Sequence, residues 1–309
     1  MSHWLNVMAR AVRRAPVPER LRSAVWRSIS RAHPGQPYTY PVAWRGASGI
    51  YGGVCGFSDQ LLFMDLEAYE PESVEVAGDL LRGRTRPVIF DVGAHNGEWL
   101  FLLKALAPAA AIHAFEPFPA LAAFLETLVA ANRWADVAVQ QAIVGAEGGE
   151  GALHFAAGGS DCASTVADFQ PSYTDVLRVP RVALDDYVER ARLASVDLIK
   201  IDVEGSELEV VQGAKRTLAR LHPPLLLELL FTTNQAHLRR QRDLVSLLHG
   251  LGYAFHRIEP DGRLTRQDEV HPDERYRALN YLVRCEASCL PAGAVAALTR
   301  SASSPAETA

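Results

Sequence analysis

The sequence predicts an α/β fold, a mostly parallel, doubly wound sheet with helices on both faces. Two observations carry this. From Val88 to Arg284, apolar runs of strand length alternate with helix-length stretches, and each of those stretches is long enough for a parallel crossover. The first run, "VIFDVGAHNGEW", ends in an acid and a glycine turn that opens a helix. Open α/β sheets place ligands at such turns, beyond the carboxyl ends of their strands. With 309 residues, 49% of them hydrophobic, the chain can bury a core of that size and still carry extensions.

Taken in order, residues 1–33 predict two short cationic amphipathic helices separated by Pro16 and Pro18. Trp4, Met8 and Val12 recur at four-residue spacing, and so do Leu21, Val25 and Ile29. The segment reads either as an interfacial anchor on acidic lipid or as a basic arm packed on, or solvated beside, an acidic domain. Residues 34–60 are rich in Gly, Pro and aromatics and predict irregular structure or short strands. In "YEPESVEVAGDLLRG", Pro71 and Glu72 mark a helix start. Seven strands are then expected at 88–92, 111–115, 137–143, 197–201, 225–229, 253–257 and 279–284. Helices are expected near 97–107, 118–132, 206–220 and 236–250. The stretch 144–185 interrupts the rhythm with glycine turns, a strand-like "ALHFAA" and the loop "GGSDCASTV", an insertion of functional length. The expected division is a basic extension over 1–60, an α/β domain over 61–286 and a disordered Ala/Ser/Pro tail over 287–309.

The net charge of −5 divides into +6 over residues 1–33, where seven arginines face one glutamate, and −11 over the rest. Such a chain has no global attraction for nucleic acid. Cys55, Cys162, Cys285 and Cys289 form no CxxC pair, which suits thiols in a reducing cytosol. No apolar run approaches the ~20 residues of a membrane span, and Arg10 and Arg13 interrupt any apolar segment of signal-peptide length. A cytoplasmic protein, with peripheral membrane contact through residues 1–33 as one option, is the expectation.

The turn itself is Gly93-Ala94-His95-Asn96-Gly97, following Asp91. Gly93 and Gly97 let the backbone bend tightly and approach a ligand, and the next helix presents free N–H groups to an anion. The dinucleotide fingerprint needs a central glycine where this chain has His95, so a pyrophosphate fits poorly and an amino-acid carboxylate fits better. Glu116, ending the second strand in "IHAFEPF", is placed to accept ribose hydroxyls. Gln141 and Ala142, ending the third, stand where an adenine ring would lie. Asp91, the turn and Glu116 together suggest an adenosine ligand with a zwitterionic tail, which describes S-adenosylmethionine.

The pieces "FDVGAHNGEW", "AFEPFP", "LIKIDVEGSELEVVQGA" and "LLLEL", in that order, resemble the FkbM family of methyltransferases; "YEPE" upstream and "LNYLVR" downstream fit the same outline. The resemblance covers roughly residues 60–285. It implies a class I, Rossmann-like methyltransferase fold, S-adenosylmethionine as cofactor, and transfer to a hydroxyl of a sugar, glycolipid or secondary metabolite. The sequence departs from the family at His95, where Asn is common, and at Asn96, where an apolar residue is common, so either one is a candidate for the cofactor contact.

Methyl transfer to oxygen needs alignment of donor and acceptor and a base for the hydroxyl proton. Asp202 and Glu204, at the end of "DLIKIDVEG", are the candidate bases; they equally suit fixing the cofactor region and capping the helix near Ser206. Lys200 is expected to pair with Asp202. Glu228 within "PPLLLELLF" is a buried carboxylate that needs a partner, and reads as a substrate-side acid. Ser160, Ser164 and Thr165 are candidates for the mouth of the site, or ordinary loop residues. His95 and His154 are lesser candidates for the base. Asp202, Glu204 and Glu228 show no ligand spacing, so no metal site is assigned. Two competing readings stand beside the methyltransferase. One is a nicotinamide oxidoreductase, against which the glycine spacing and the missing Tyr-x-x-x-Lys pair argue. The other is a non-catalytic adenosine-binding or membrane-associated module.

Overall fold

The computed structural model describes residues 3–57, 62, 66–156, 163–270 and 278–286. The expected tail over 287–309, Ser160, Cys162 and Cys289 lie outside the described residues; among the described residues Cys55 and Cys285 form no disulfide. The two basic helices form, α1 over His3–Arg14 and α2 over Glu19–Ala32. Their inner faces match the predicted rows only in part: Val12 is buried and Met8 and Ile29 pack on the core. Leu5, Ala9 and Val12 are buried on α1, and Trp26 and Ser30 on α2, while Trp4, Leu21 and Val25 face outward. The four-residue spacings were real, but a helix carries several such rows and packing selects one.

Of the two expectations for residues 34–60, irregular structure or short strands, the strands form: a regular hairpin, β1 (Pro37–Trp44) paired antiparallel with β2 (Ala47–Val54). Its turn is Arg45-Gly46, with φ of 46° and 84°, the left-handed pair that suits a two-residue hairpin. Arginine at the first position hid a signal that Asn-Gly would have announced. An aromatic series binds the hairpin to its surroundings: Trp26 meets Tyr38 at 4.5 Å, Tyr40 meets Tyr51 at 5.8 Å, and Tyr51 meets Phe101 at 6.3 Å. Residues 3–54 thus share one apolar core with the α/β unit. The helix α3 (Pro71–Leu81) begins at the predicted proline.

The main sheet follows, with β3 (Val88–Val92), α4 (Glu98–Leu106), β4 (Ala111–Phe115), α5 (Pro119–Asn132) and β5 (Val137–Gln140) in βαβ succession. The predicted third strand stops short at Gln140, and β6 (Ile143–Val144) leaves for a separate three-stranded sheet with β7 (Gly149–Phe155) and β8 (Asp175–Val182). That sheet is the insertion. After α6 (Leu184–Arg190) and β9 (Leu198–Ile201), the single helix expected over 206–220 is two, α7 (Glu207–Gln212) and α8 (Lys215–Leu221). They part at Gly213, where a Cβ would sit 2.0 Å from the Gly145 carbonyl oxygen. Then come β10 (Leu225–Leu230), α9 (Gln235–Gly250), β11 (Tyr253–Ile258), β12 (Leu264–Gln267) and β13 (Ala278–Cys285).

The order is β12-β11-β13-β10-β9-β3-β4-β5. Strands β3, β4, β5, β9 and β10 run parallel, and β13 runs antiparallel to both neighbours. This is the class I, Rossmann-like architecture expected, with eight strands in place of seven because the chain after β11 folds back through Gly262 to add β12. One apolar layer, with α3, α4, α5 and the hairpin, covers one face; a second, with α6 to α9, covers the other. The chain doubles back between β4 and β9, on either side of β3, so the crevice opens beyond their carboxyl ends.

Asn132 near the end of α5 joins the hairpin to the α/β unit. Its Nδ2 donates to the Ile50 carbonyl at 2.7 Å, and its Oδ1 accepts from the Ile50 N–H at 2.8 Å. Asn132→Ala strands both backbone groups and should destabilise the chain by about 2 kcal/mol; urea unfolding measures this, and an unchanged midpoint would remove the tie from the fold's energetics.

Candidate active site

The site begins with an interruption in each central strand. Asp91, Lys200, Glu228 and Asn280 each break an apolar run in "VIFDV", "LIKI", "LLLELL" and "ALNYLVRC". Side chains alternate along a strand, and Phe90, Ile199, Leu227 and Tyr281 join the layer under α6 to α9. The four polar residues therefore share the opposite face. Register places them side by side: Asp91 opposite Lys200, and Glu228 opposite Asn280. The Lys200 ammonium lies 3.0 Å from Asp202 Oδ2, 3.4 Å from the Gly93 carbonyl and 3.9 Å from Asp91 Oδ1. Above this row sits Glu70, whose Oε2 accepts from Asn280 Nδ2 at 3.3 Å. Glu70 precedes Pro71 and is held at φ 41°, an uncommon conformation for a residue without a functional constraint.

The turn after β3 is fixed from three sides. Gly93 and Ala94 both donate to the Phe115 carbonyl at 3.0 Å. Gly93 has φ 84°, and a Cβ there would lie 1.8 Å from the Asp202 carbonyl oxygen, so this position admits glycine alone. His95 takes φ 49°. Glu116 accepts from the His95 N–H at 2.9 Å through Oε2 and from the Phe118 N–H at 2.8 Å through Oε1. Each carboxylate oxygen keeps a further lone pair for a ligand.

Beside the turn lies a cavity of about 360 Å³, within the range of small-molecule sites. It gathers many of the expected residues. Gly93, Ala94, His95, Glu116 and Ala142 line it together with Asp202, Glu204 and Glu228, joined by Glu70, Tyr69, Glu98 and Lys200. Others are not brought there. Asp91 is fully buried beneath the turn. Asn96 is buried away from the cavity, toward Gly53 of the hairpin; of the two candidates, His95 lines the cavity. Gly97 instead caps α4, against Leu125. Gln141 is exposed, because the chain leaves the sheet after Gln140. Ser164 is buried and its hydroxyl donates to the Glu204 carbonyl at 2.6 Å, tying the insertion to the end of β9; its neighbours Ala163 and Thr165 line the cavity instead. His154 stacks on Tyr173, outside the cavity. Among the described residues no cluster of His, Cys, Asp or Glu has metal-binding geometry. Glu70 was missed by the sequence reading; its signal was an acid immediately before a helix-opening proline.

Burial and mutual repulsion shape the electrostatics. Burial lifts Glu70 to about 7 and Asp91 to about 6, against the lowering effect of Lys200. Glu228 is pushed well above the usual carboxylate range, first by the neighbouring charge of Asp202 and then by burial. Burial alone would depress Lys200, but Asp202, Asp91 and Glu70 outweigh it and keep the ammonium firmly protonated. Burial also raises Glu116.

An adenosyl ligand with an amino-acid tail fits these residues: a glycine cradle with no room for a Cβ, a buried acid with unused lone pairs at the end of β4, and a carboxylate-rich recess beyond. Fold and site define a Rossmann-like sheet with a crevice at its switch point. The Methyltransferase FkbM domain matches residues 91–255, more than half of the chain, and the chain belongs to this family. It is 28% identical over 148 residues to the 2-O-methyltransferase NoeI of Sinorhizobium fredii (strain NBRC 101917 / NGR234), covering 43% of this chain and 60% of that protein; the chain thus spans less than two thirds of that relative. Among solved structures it is similar to an FkbM methyltransferase from Methylobacillus flagellatus KT (20% identity, 72% of this chain and 51% of that one, TM-score 0.44). An O-methyltransferase from Bacillus cereus in complex with SAH is similar at 11% identity, 70% of this chain, 83% of that one and TM-score 0.40.

Because folding raises Glu70 from 4.5 to about 7, the folded chain binds the extra proton between those values. The resulting stability is present at acid pH and lost as pH rises through 7. Glu70→Gln, which cannot ionise, should melt like the parent near pH 4.5 and above it at pH 8, by up to about 3 kcal/mol. Parallel melting temperatures across that range would show that Glu70 is not strained by its charge.

Proposed function

We propose that this chain is an S-adenosylmethionine-dependent O-methyltransferase acting on a hydroxyl of a sugar, glycolipid or secondary metabolite. The observation that carries the reading is the cavity, whose lining brings the glycine cradle and Glu116 together with Asp202, Glu204 and Glu228. Family membership supports methyl transfer and leaves the nicotinamide reading without support. The relative named a 2-O-methyltransferase supports oxygen as the acceptor atom.

When bound, the cofactor supplies an activated methyl group. Glu116 would hold the ribose through its remaining lone pairs, and the turn at Gly93 to His95 would receive the amino-acid tail. The carboxylates around the recess favour a cationic donor over its neutral product. Lys200 lies 3.0 Å from Asp202, and the charge of Asp202, together with burial, favours the protonated form of Glu228. Asp202 is then the base that takes the acceptor's hydroxyl proton, and Glu228 is a donor that orients the acceptor oxygen. Glu204 borders the same recess from a left-handed position, φ 52°, and forms its wall on the acceptor side.

Three measurements test this. Glu116→Ala should weaken S-adenosylhomocysteine binding by about 1.5–3 kcal/mol in calorimetry; unchanged affinity discards the ribose role. Asp202→Asn should lower methyl transfer from labelled cofactor to a panel of glycosides and polyols by about 10²–10⁴-fold with cofactor affinity retained. Glu228→Gln preserves the protonated form and should lose far less. Equal losses in the two variants, or full activity in Asp202→Asn with loss in Glu204→Gln, would move the base elsewhere. Tight cofactor binding with no transfer to any acceptor favours the non-catalytic reading.

A further inference from the structure

The large apolar side chains exposed among the described residues are concentrated at one place. Trp4 (45%), Val7 (47%), Val17, Leu21 (51%) and Val25 (51%) all fall within the first 25 residues, and Val176 is the other. The inner faces of α1 and α2 are spent on the shared core, through Leu5, Ala9, Val12 and Trp26. What remains outside is a second apolar stripe on each helix. On α2, Leu21 and Val25 are one turn apart, and Arg20, Arg27 and Arg31 run along their flank, all exposed. On α1, Arg10 and Arg14 flank Trp4 and Val7 in the same way. No acid pairs with Arg10, Arg14, Arg20, Arg27 or Arg31 among the described residues; Arg27 reaches only Ser23, and Arg10 the Asn6 carbonyl. The helices are held as a unit, since Arg22 donates to the Arg13 carbonyl at 2.8 Å and Trp4 packs edge-on against His33.

We propose that the outer face of α1 and α2 docks on the anionic surface of a lipid bilayer. Alkyl and indole groups of this size enter the headgroup layer, and a row of arginines beside them meets lipid phosphates. Charge favours this occupant over a second copy of the chain, because a two-fold contact would set one arginine row against another. The same charge orients the molecule: the segment carrying +6 faces the membrane and the remainder, at −11, faces away. No helix among the described residues is long and apolar enough to cross a membrane, so the contact is a surface one. The face is also tied to the cavity rim. Ser30 on α2 accepts from the Gly56 N–H at 2.6 Å, and the adjacent Phe57 packs on Phe118 and His95.

The test is co-sedimentation of the full chain with phosphatidylcholine vesicles and with vesicles enriched in phosphatidylglycerol, at low and high salt. The expected result is partition onto the anionic vesicles that weakens with salt. Arg20→Ala/Arg27→Ala/Arg31→Ala should reduce it about a hundred-fold, and Leu21→Glu/Val25→Glu by at least about ten-fold. All five positions are exposed, so thermal melting should match the parent. Absence of partition, equal partition onto neutral vesicles, or indifference to the Leu21 and Val25 changes would overturn the proposal. So would a lipid-free oligomer that Leu21→Glu/Val25→Glu dissociates, or soluble-protein capture that outcompetes vesicles.

Discussion

The Lys200 ammonium is the group on which the site depends, because it is almost fully buried and touches the ends of two strands and the turn between them. A buried lysine is unfavourable unless opposite charge surrounds it. Asp202, Asp91 and Glu70 supply that charge, while burial raises Glu70 and Asp91 against the lowering effect of Lys200. Burial thus acts on both signs of charge in this row.

The cofactor end depends on a different constraint, backbone proximity. Gly93 and the Asp202 carbonyl lie so close that the turn after β3 packs directly on the end of β9, with no room for a Cβ between them. Glu116 holds two amides of the same neighbourhood, so the group assigned to the ribose also shapes the turn. Binding and architecture are not separable at that residue. Two further elements pack against this floor: the three-stranded insertion through the Ser164–Glu204 bond, and Phe57, just after the hairpin, against His95.

The N-terminal helices illustrate how one segment serves two surfaces. Their apolar content exceeds what the core accepts, and the excess is left beside arginines. A helix packed on a domain by one stripe exposes the opposite one: the packed-arm reading of residues 1–33 describes the inner face, and the outer face is the one proposed to meet lipid.

Sequence alone determined the parts governed by local periodicity. Strands β3 and β4 fall at the predicted residues, and α4, α5 and α9 within a residue or so, because apolar runs and caps are local signals. The glycine turn, Glu116, Asp202 and the Lys200–Asp202 pair were legible from strand ends for the same reason. Tertiary structure decided the rest. Asp91 and Asn96 sit in the same motif as His95, yet only the histidine lines the cavity, since burial depends on what packs behind the turn. Glu70 enters from 130 residues upstream of Lys200, and no spacing rule links them. The division of 137–144 between two sheets and of 206–221 into two helices follows from contacts with β8 and Gly145. Such contacts join residues far apart in the chain, and a pattern read along one strand or helix contains no record of them.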